Sequence, residues 1–127
     1  MDVKSLYPSV PRKEARTAVK KALEERSDEE TDISTILELM DLVLEHNYIQ
    51  FMGKYYLQTQ GTAIGSKLGN NYACTYLGEW EKKLLQIAPK KPMIFFRYID
   101  DIFGIWSHSE EDLYQFLNLA NNIHPYI

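Results

Sequence analysis

The apolar positions of this chain follow a helical period in some stretches and a strand period in others. Over residues 12–26, small apolar residues recur at Ala15, Ala18, Val19 and Ala22, the spacing of one helix face. Residues 27–31 are polar and read as a loop. Asp32 or Ser34 then caps a second predicted helix, with Ile33, Ile36, Leu37, Met40, Val43 and Leu44 on its apolar face. Residues 47–58 are rich in Tyr, Phe, Ile and Leu and predict two short strands joined at Gly53-Lys54. A glycine-bearing loop, 58–66, leads to a long helix over about 68–87, with the stripe Ala73, Tyr76, Leu77, Trp80, Leu84 and Ile87. Pro89 stops it. Residues 93–99 and 102–106 are apolar, aromatic and β-branched, and predict a hairpin that turns at Asp100-Asp101. Ser107 or Ser109 caps a last helix carrying Leu113, Phe116, Leu117 and Ala120. Residues 124–127 read as the start of another strand. Residues 2–11 end with two prolines, Pro8 and Pro11, and read as the end of a strand leading into a turn. The order predicts one α+β domain over 1–127, with helices on one face of an antiparallel sheet.

Composition narrows the class. Apolar residues make up 45% and charged residues 25% of 127 residues, which suits one globular domain and excludes a disordered tail. No apolar run approaches the ~20 residues of a membrane span, and no leader pattern opens the chain, so no membrane association is expected. Cys74 stands alone, and His46, His108 and His124 lack zinc-ligand spacing. A disulfide scaffold and a zinc module are excluded. An intracellular setting, nucleus or cytoplasm, is expected, with no secretion. The net charge of −4 weighs against a basic nucleic-acid footprint. Arg12, Lys13, Arg16, Lys20, Lys21 and Arg26 cluster in the first helix, where the plain reading is a solvated face.

Asp100-Asp101 fits that plain picture least well. Two charges interrupt two otherwise apolar strands. The dipeptide by itself arises about once per 250 positions at average composition, so position carries the inference. A two-residue hairpin turn favours Asn-Gly or Asp-Gly, and adjacent like charges repel. Solvent offsets that repulsion at an exposed tip, and a divalent cation does so better. Asp2 ends another predicted strand. If the strand ends lie side by side, three carboxylates converge on a site suited to Mg²⁺ or Mn²⁺. Two such ions ~3.5–4 Å apart clamp the attacking and leaving oxygens of a phosphoryl transfer.

Phe96-Arg97-Tyr98-Ile99-Asp100-Asp101-Ile102-Phe103 resembles the aromatic-x-Asp-Asp box of reverse transcriptases. Asp2-Val3-Lys4-Ser5-Leu6-Tyr7 resembles their first carboxylate motif. Gln58-Thr59-Gln60-Gly61-Thr62-Ala63-Ile64-Gly65-Ser66 resembles the motif that opens the long palm helix. The wording looks most like Penelope-like retroelement reverse transcriptases, in the family's order and over nearly the whole chain. The resemblance implies a polymerase palm, a ferredoxin-like antiparallel sheet with helices on one face, here incomplete. It implies an RNA-directed DNA polymerase fragment that is inactive alone, with the fingers, thumb and original start lying elsewhere in a parent chain. Asp2, Asp100 and Asp101 would be catalytic and hold two Mg²⁺ or Mn²⁺ ions, with the Val3 carbonyl as a further ligand. Val3, Tyr7, Gln60 and Gly61 would line the deoxynucleotide site. A bulky residue at Tyr7 would exclude a 2′-hydroxyl. The implied partners are an RNA template, a DNA primer and deoxynucleoside triphosphates. The sequence departs from the family at Lys67-Leu68-Gly69-Asn70, where Pro-Leu-Ser-Pro is common, and has no Lys or Arg after Arg97. Two other readings stay open: a decayed, silent palm acting as an interaction module, and an unrelated carboxylate protein that binds Ca²⁺ or cleaves nucleic acid.

Overall fold

The long amphipathic helix organises the structure. In the computed structural model, which describes residues 3–26 and 31–124, it is α4, Lys67–Ile87. Its N-terminus is capped by Ser66, whose Oγ accepts the Gly69 N–H at 2.8 Å. Tyr72, Ala73, Tyr76, Leu77, Trp80 and Leu84 are buried at helical spacing, whereas Ile87, also expected on the stripe, is exposed. Burial pushes the Tyr72 phenol up to about 12, so it remains a neutral donor, and its hydroxyl donates to the Arg12 carbonyl at 3.3 Å.

Four other helices precede or follow it among the described residues. They are α1 (Leu6–Ser9), α2 (Arg12–Glu24), α3 (Ile33–Glu45) and α5 (Glu110–Asn122). α1 and α2 pack on α4, and α3 packs on α2. Asp32, not Ser34, caps α3 by accepting the Thr35 N–H at 3.1 Å. Ser109, not Ser107, caps α5 by accepting the Asp112 N–H at 3.2 Å. Leu37, Met40 and Leu44 bury one side of α3, but Val43 faces solvent. No helix among the described residues is long and apolar enough to cross a membrane.

The strands are β1 (Tyr48–Phe51), β2 (Lys54–Leu57), β3 (Ile94–Tyr98) and β4 (Asp101–Ile105). They form two separate antiparallel pairs, β1 with β2 and β3 with β4. The fold is therefore mixed α+β, but the single antiparallel sheet expected from the strand order is not formed among the described residues. Three local expectations are also corrected. No strand occupies residues 3–10; Leu6–Ser9 form a helical turn instead, with Leu6 and Val10 buried. The first hairpin turns at Met52-Gly53, one residue earlier than expected, with positive φ at both. The second turns at Ile99-Asp100, so Asp101 opens β4 opposite Tyr98. The strand expected at 124–127 falls mostly on 125–127, and the loop at 27–31 mostly on 27–30, both outside the described residues.

The basic face of α2 is also more than a solvated surface. Arg16 pairs with Asp41 of α3 at 2.8 Å, and Lys21 with Glu79 of α4 at 2.7 Å. Lys82 meets the same Glu79 at 2.8 Å. The hydrogen bonds from Lys21 and Lys82 hold the Glu79 carboxyl below its usual 4.5. A depressed carboxylate stabilises the fold above its unfolded value, and that stabilisation is lost as pH falls through the folded one. Glu79→Gln is therefore expected to shrink the drop in urea midpoint between about pH 7 and about pH 3. Equal acid sensitivity in both proteins would remove Glu79 from the explanation.

Candidate functional site

The glycine-bearing loop is fastened to the first motif by backbone contact. Gly61 has a φ of 65°, in the left-handed region that glycine enters freely. A Cβ built there would lie 2.6 Å from both the carbonyl carbon and the Cα of Pro8, and closer still to the Tyr7 carbonyl oxygen. Next to it the Thr62 N–H donates to the Tyr7 carbonyl at 2.9 Å. Arg12 grips the loop from α2, its Nη2 donating to the Gln58 carbonyl at 2.7 Å and its Nε to the Gly61 carbonyl at 3.2 Å. Gln58 braces the inside, donating from Nε2 to the carbonyls of Gln60 at 2.8 Å and Thr62 at 3.2 Å. Tyr7 is half-buried and its hydroxyl donates to Asn70 Oδ1 at 3.4 Å. The Gln60 side chain is exposed and makes no hydrogen bond among the described residues.

The aspartate pair lies at the tip of the β3–β4 hairpin. Register places Phe96, Tyr98, Asp101 and Phe103 on one face, and Phe95, Arg97, Ile102 and Gly104 on the other. The second face packs inward, with Ile102 buried and the Phe95 ring 6.3 Å from Phe116 of α5. The first is open, with Tyr98 77% exposed. Asp101 belongs to that open face and is exposed, whereas Asp100 in the turn is half-buried. Ile99 takes a φ of 55°, an outlier for a β-branched residue. Such strain persists only where surrounding structure holds it. Here Ile99 packs against the core, and its carbonyl accepts from Arg97 Nη1 at 3.1 Å.

The first and last motifs meet at one hydrogen bond. The Val3 N–H donates to the Asp100 carbonyl at 3.2 Å, and the Val3 side chain is buried. Tyr7 is four residues further on, within ~14 Å of Val3 by chain length alone. Asp2, the third expected carboxylate, lies outside the described residues. Among the described residues no three potential ligands cluster. The Asp100 and Asp101 carboxylates accept no hydrogen bond and form no ion pair among the described residues. Their oxygens therefore remain available as hard, acceptor-only donors, which fits Mg²⁺ or Mn²⁺ and not a soft metal.

Sequence reasoning missed Arg12, Asn70, Glu81 and Arg97 as supports of this region. One signal was readable: Arg97 is the only charge in the strand Ile94–Tyr98. Arg12 carried none, because its targets lie 46 and 49 residues away. Comparison with family models, curated proteins and solved structures found no match to this chain.

Proposed function

We propose that the chain is the palm portion of an RNA-directed DNA polymerase of retroelement type, most like the Penelope-like group. The observation that carries the proposal is the Val3–Asp100 hydrogen bond. It joins the residue after Asp2 to the turn that carries Asp100, across about three quarters of the chain. The seat of Gly61 on Tyr7 and Pro8 supports the same reading, since it brings in the middle motif.

Asp100 and Asp101 would hold two Mg²⁺ or Mn²⁺ ions together with Asp2 and the Val3 carbonyl. When bound, such ions lower the pKa of an attacking hydroxyl and neutralise charge on a leaving oxygen. The protein's own part is placement. The strained turn fixes the Asp100 backbone, so its carboxylate would be held ready for a cation. Gly61 keeps backbone without a side chain beside Tyr7, leaving Gln60 facing solvent where a nucleotide or template would lie. Tyr7, steadied by Asn70, would stand under the sugar and leave no room for a 2′-hydroxyl.

The test is primer extension on an RNA template by the longest natural polypeptide that contains this segment. Metal-dependent synthesis from deoxynucleotides is expected. Metal-dependent cleavage without any triphosphate would favour the nuclease reading, and no synthesis at all the silent palm. Tyr7→Ala is expected to raise ribonucleotide incorporation relative to deoxynucleotide by ~10-fold or more, the scale of one steric contact. Unchanged discrimination would take the gate role away from Tyr7.

A further inference from the structure

Arg97 is a largely buried cation that ties the aspartate turn to α4, with one contact in the turn and two on the helix. Its side chain is only 14% exposed. Nε donates to Glu81 of α4 at 3.0 Å, Nη2 reaches the Cys74 carbonyl at 3.5 Å, and Nη1 donates to the Ile99 carbonyl at 3.1 Å. The peptide whose oxygen Arg97 holds is the one that leads into Asp100. That oxygen belongs to Ile99, the residue with the unfavourable φ. On the other side of Asp100, its own carbonyl is held by the Val3 N–H.

We propose that Arg97, anchored by Glu81, is a positioning residue that locks the Ile99–Asp100 peptide and so aims the Asp100 carboxylate at its cation. This rests on the two-metal reading above. The guanidinium suits the task because it is planar and presents several donors at fixed angles. One side chain therefore bonds a carboxylate on α4 and a carbonyl in the turn together. Lysine offers a compact point charge on a flexible stem. In Arg97→Lys the ion pair with Glu81 can be kept, while the Nη1 bond to the Ile99 carbonyl is lost. Partners that orient a ligating carboxylate in this way typically govern metal affinity by ~10–100-fold.

The experiment uses the 127-residue chain with two readouts. Mn²⁺ affinity is measured by electron paramagnetic resonance, and amide hydrogen exchange is followed at Val3 and at Leu77 in mid-α4. In Arg97→Lys, Mn²⁺ affinity is expected to fall ~10–100-fold. Exchange at Val3 is expected to quicken ~5–10-fold, the scale of one lost hydrogen bond, with Leu77 unchanged. Glu81→Gln should move both readouts the same way by less, because the amide oxygen still accepts from Nε. If Arg97→Lys and Glu81→Gln leave both readouts in place while Asp100→Asn removes Mn²⁺ binding, the positioning role is overturned and the metal reading survives. Faster exchange at Leu77 and Val3 alike in both variants would make Arg97 a general prop of the fold and would also overturn it. Mn²⁺ binding that is absent, or indifferent to Asp100→Asn, would sink the metal reading and this inference with it.

Discussion

Gly61→Ala is expected to destabilise the chain by about 4 kcal/mol, a drop of ~10–20 °C in thermal midpoint for a domain this size. Two effects add. The left-handed φ of 65° costs a residue with a Cβ about 1–2 kcal/mol. The new methyl would also collide with the Tyr7-Pro8 backbone, which cannot swing aside as a side-chain tip would. Relief requires the loop to lift, which breaks the Thr62–Tyr7 hydrogen bond and the Arg12 grip. A charge-assisted hydrogen bond of that kind is worth about 1.5–3 kcal/mol. Gly65 supplies the control: its φ is 84°, yet nothing lies within 4 Å of a built Cβ. Gly65→Ala should carry only the strain, about 1–2 kcal/mol. Calorimetry of the two variants separates the effects. Equal midpoints would mean that the loop does not seat against Tyr7 and Pro8.

Asp100→Asn is expected to abolish primer extension, by ~10³-fold or more, while leaving stability unchanged or slightly raised. Loss of one charged ligand from a hard-cation site removes several kcal/mol of electrostatic stabilisation, and about 4 kcal/mol corresponds to that factor. The fold should not suffer, because the carboxylate has no partner among the described residues and stands beside Asp101. The swap is nearly isosteric and removes a like-charge repulsion. A side chain kept for structure would behave oppositely, with midpoint and activity falling together. Extension retained in Asp100→Asn would contradict the role assigned to this residue.

Much of the helical layout is legible in the residues. Burial on α4 falls at the predicted Ala73, Tyr76, Leu77, Trp80 and Leu84, because a 3.6-residue stripe is a local pattern. Strand pairing is not local. Nothing in residues 48–57 says that their ribbon stays apart from β3 and β4. In the opening segment Pro8 is compatible with the end of a strand and equally with the first turn of a helix, which is what forms. At the second hairpin, the apolar runs on either side point to a bend at the two aspartates, although turn preference disfavours that pair. Ile99 bends instead, because core packing and Arg97 hold a conformation that its own preferences oppose. The aspartates were visible as an anomaly, and the motifs around them as a resemblance. Of the supports only Arg97 leaves a mark, as the one charge in its strand; Arg12 acts through distant carbonyls, whose acceptance leaves no mark on residue identity.

If the chain works as proposed, its first and last motifs converge on one cation site at the hairpin tip. Paramagnetic broadening by Mn²⁺ in an amide-resolved NMR spectrum of the chain tests it most directly. At low Mn²⁺, signals of Val3, Asp100 and Asp101 should vanish first, with the loop around Gly61 next. Broadening centred on another acidic stretch, such as Glu110–Asp112 at the start of α5, with Asp100 and Asp101 untouched, would contradict the account.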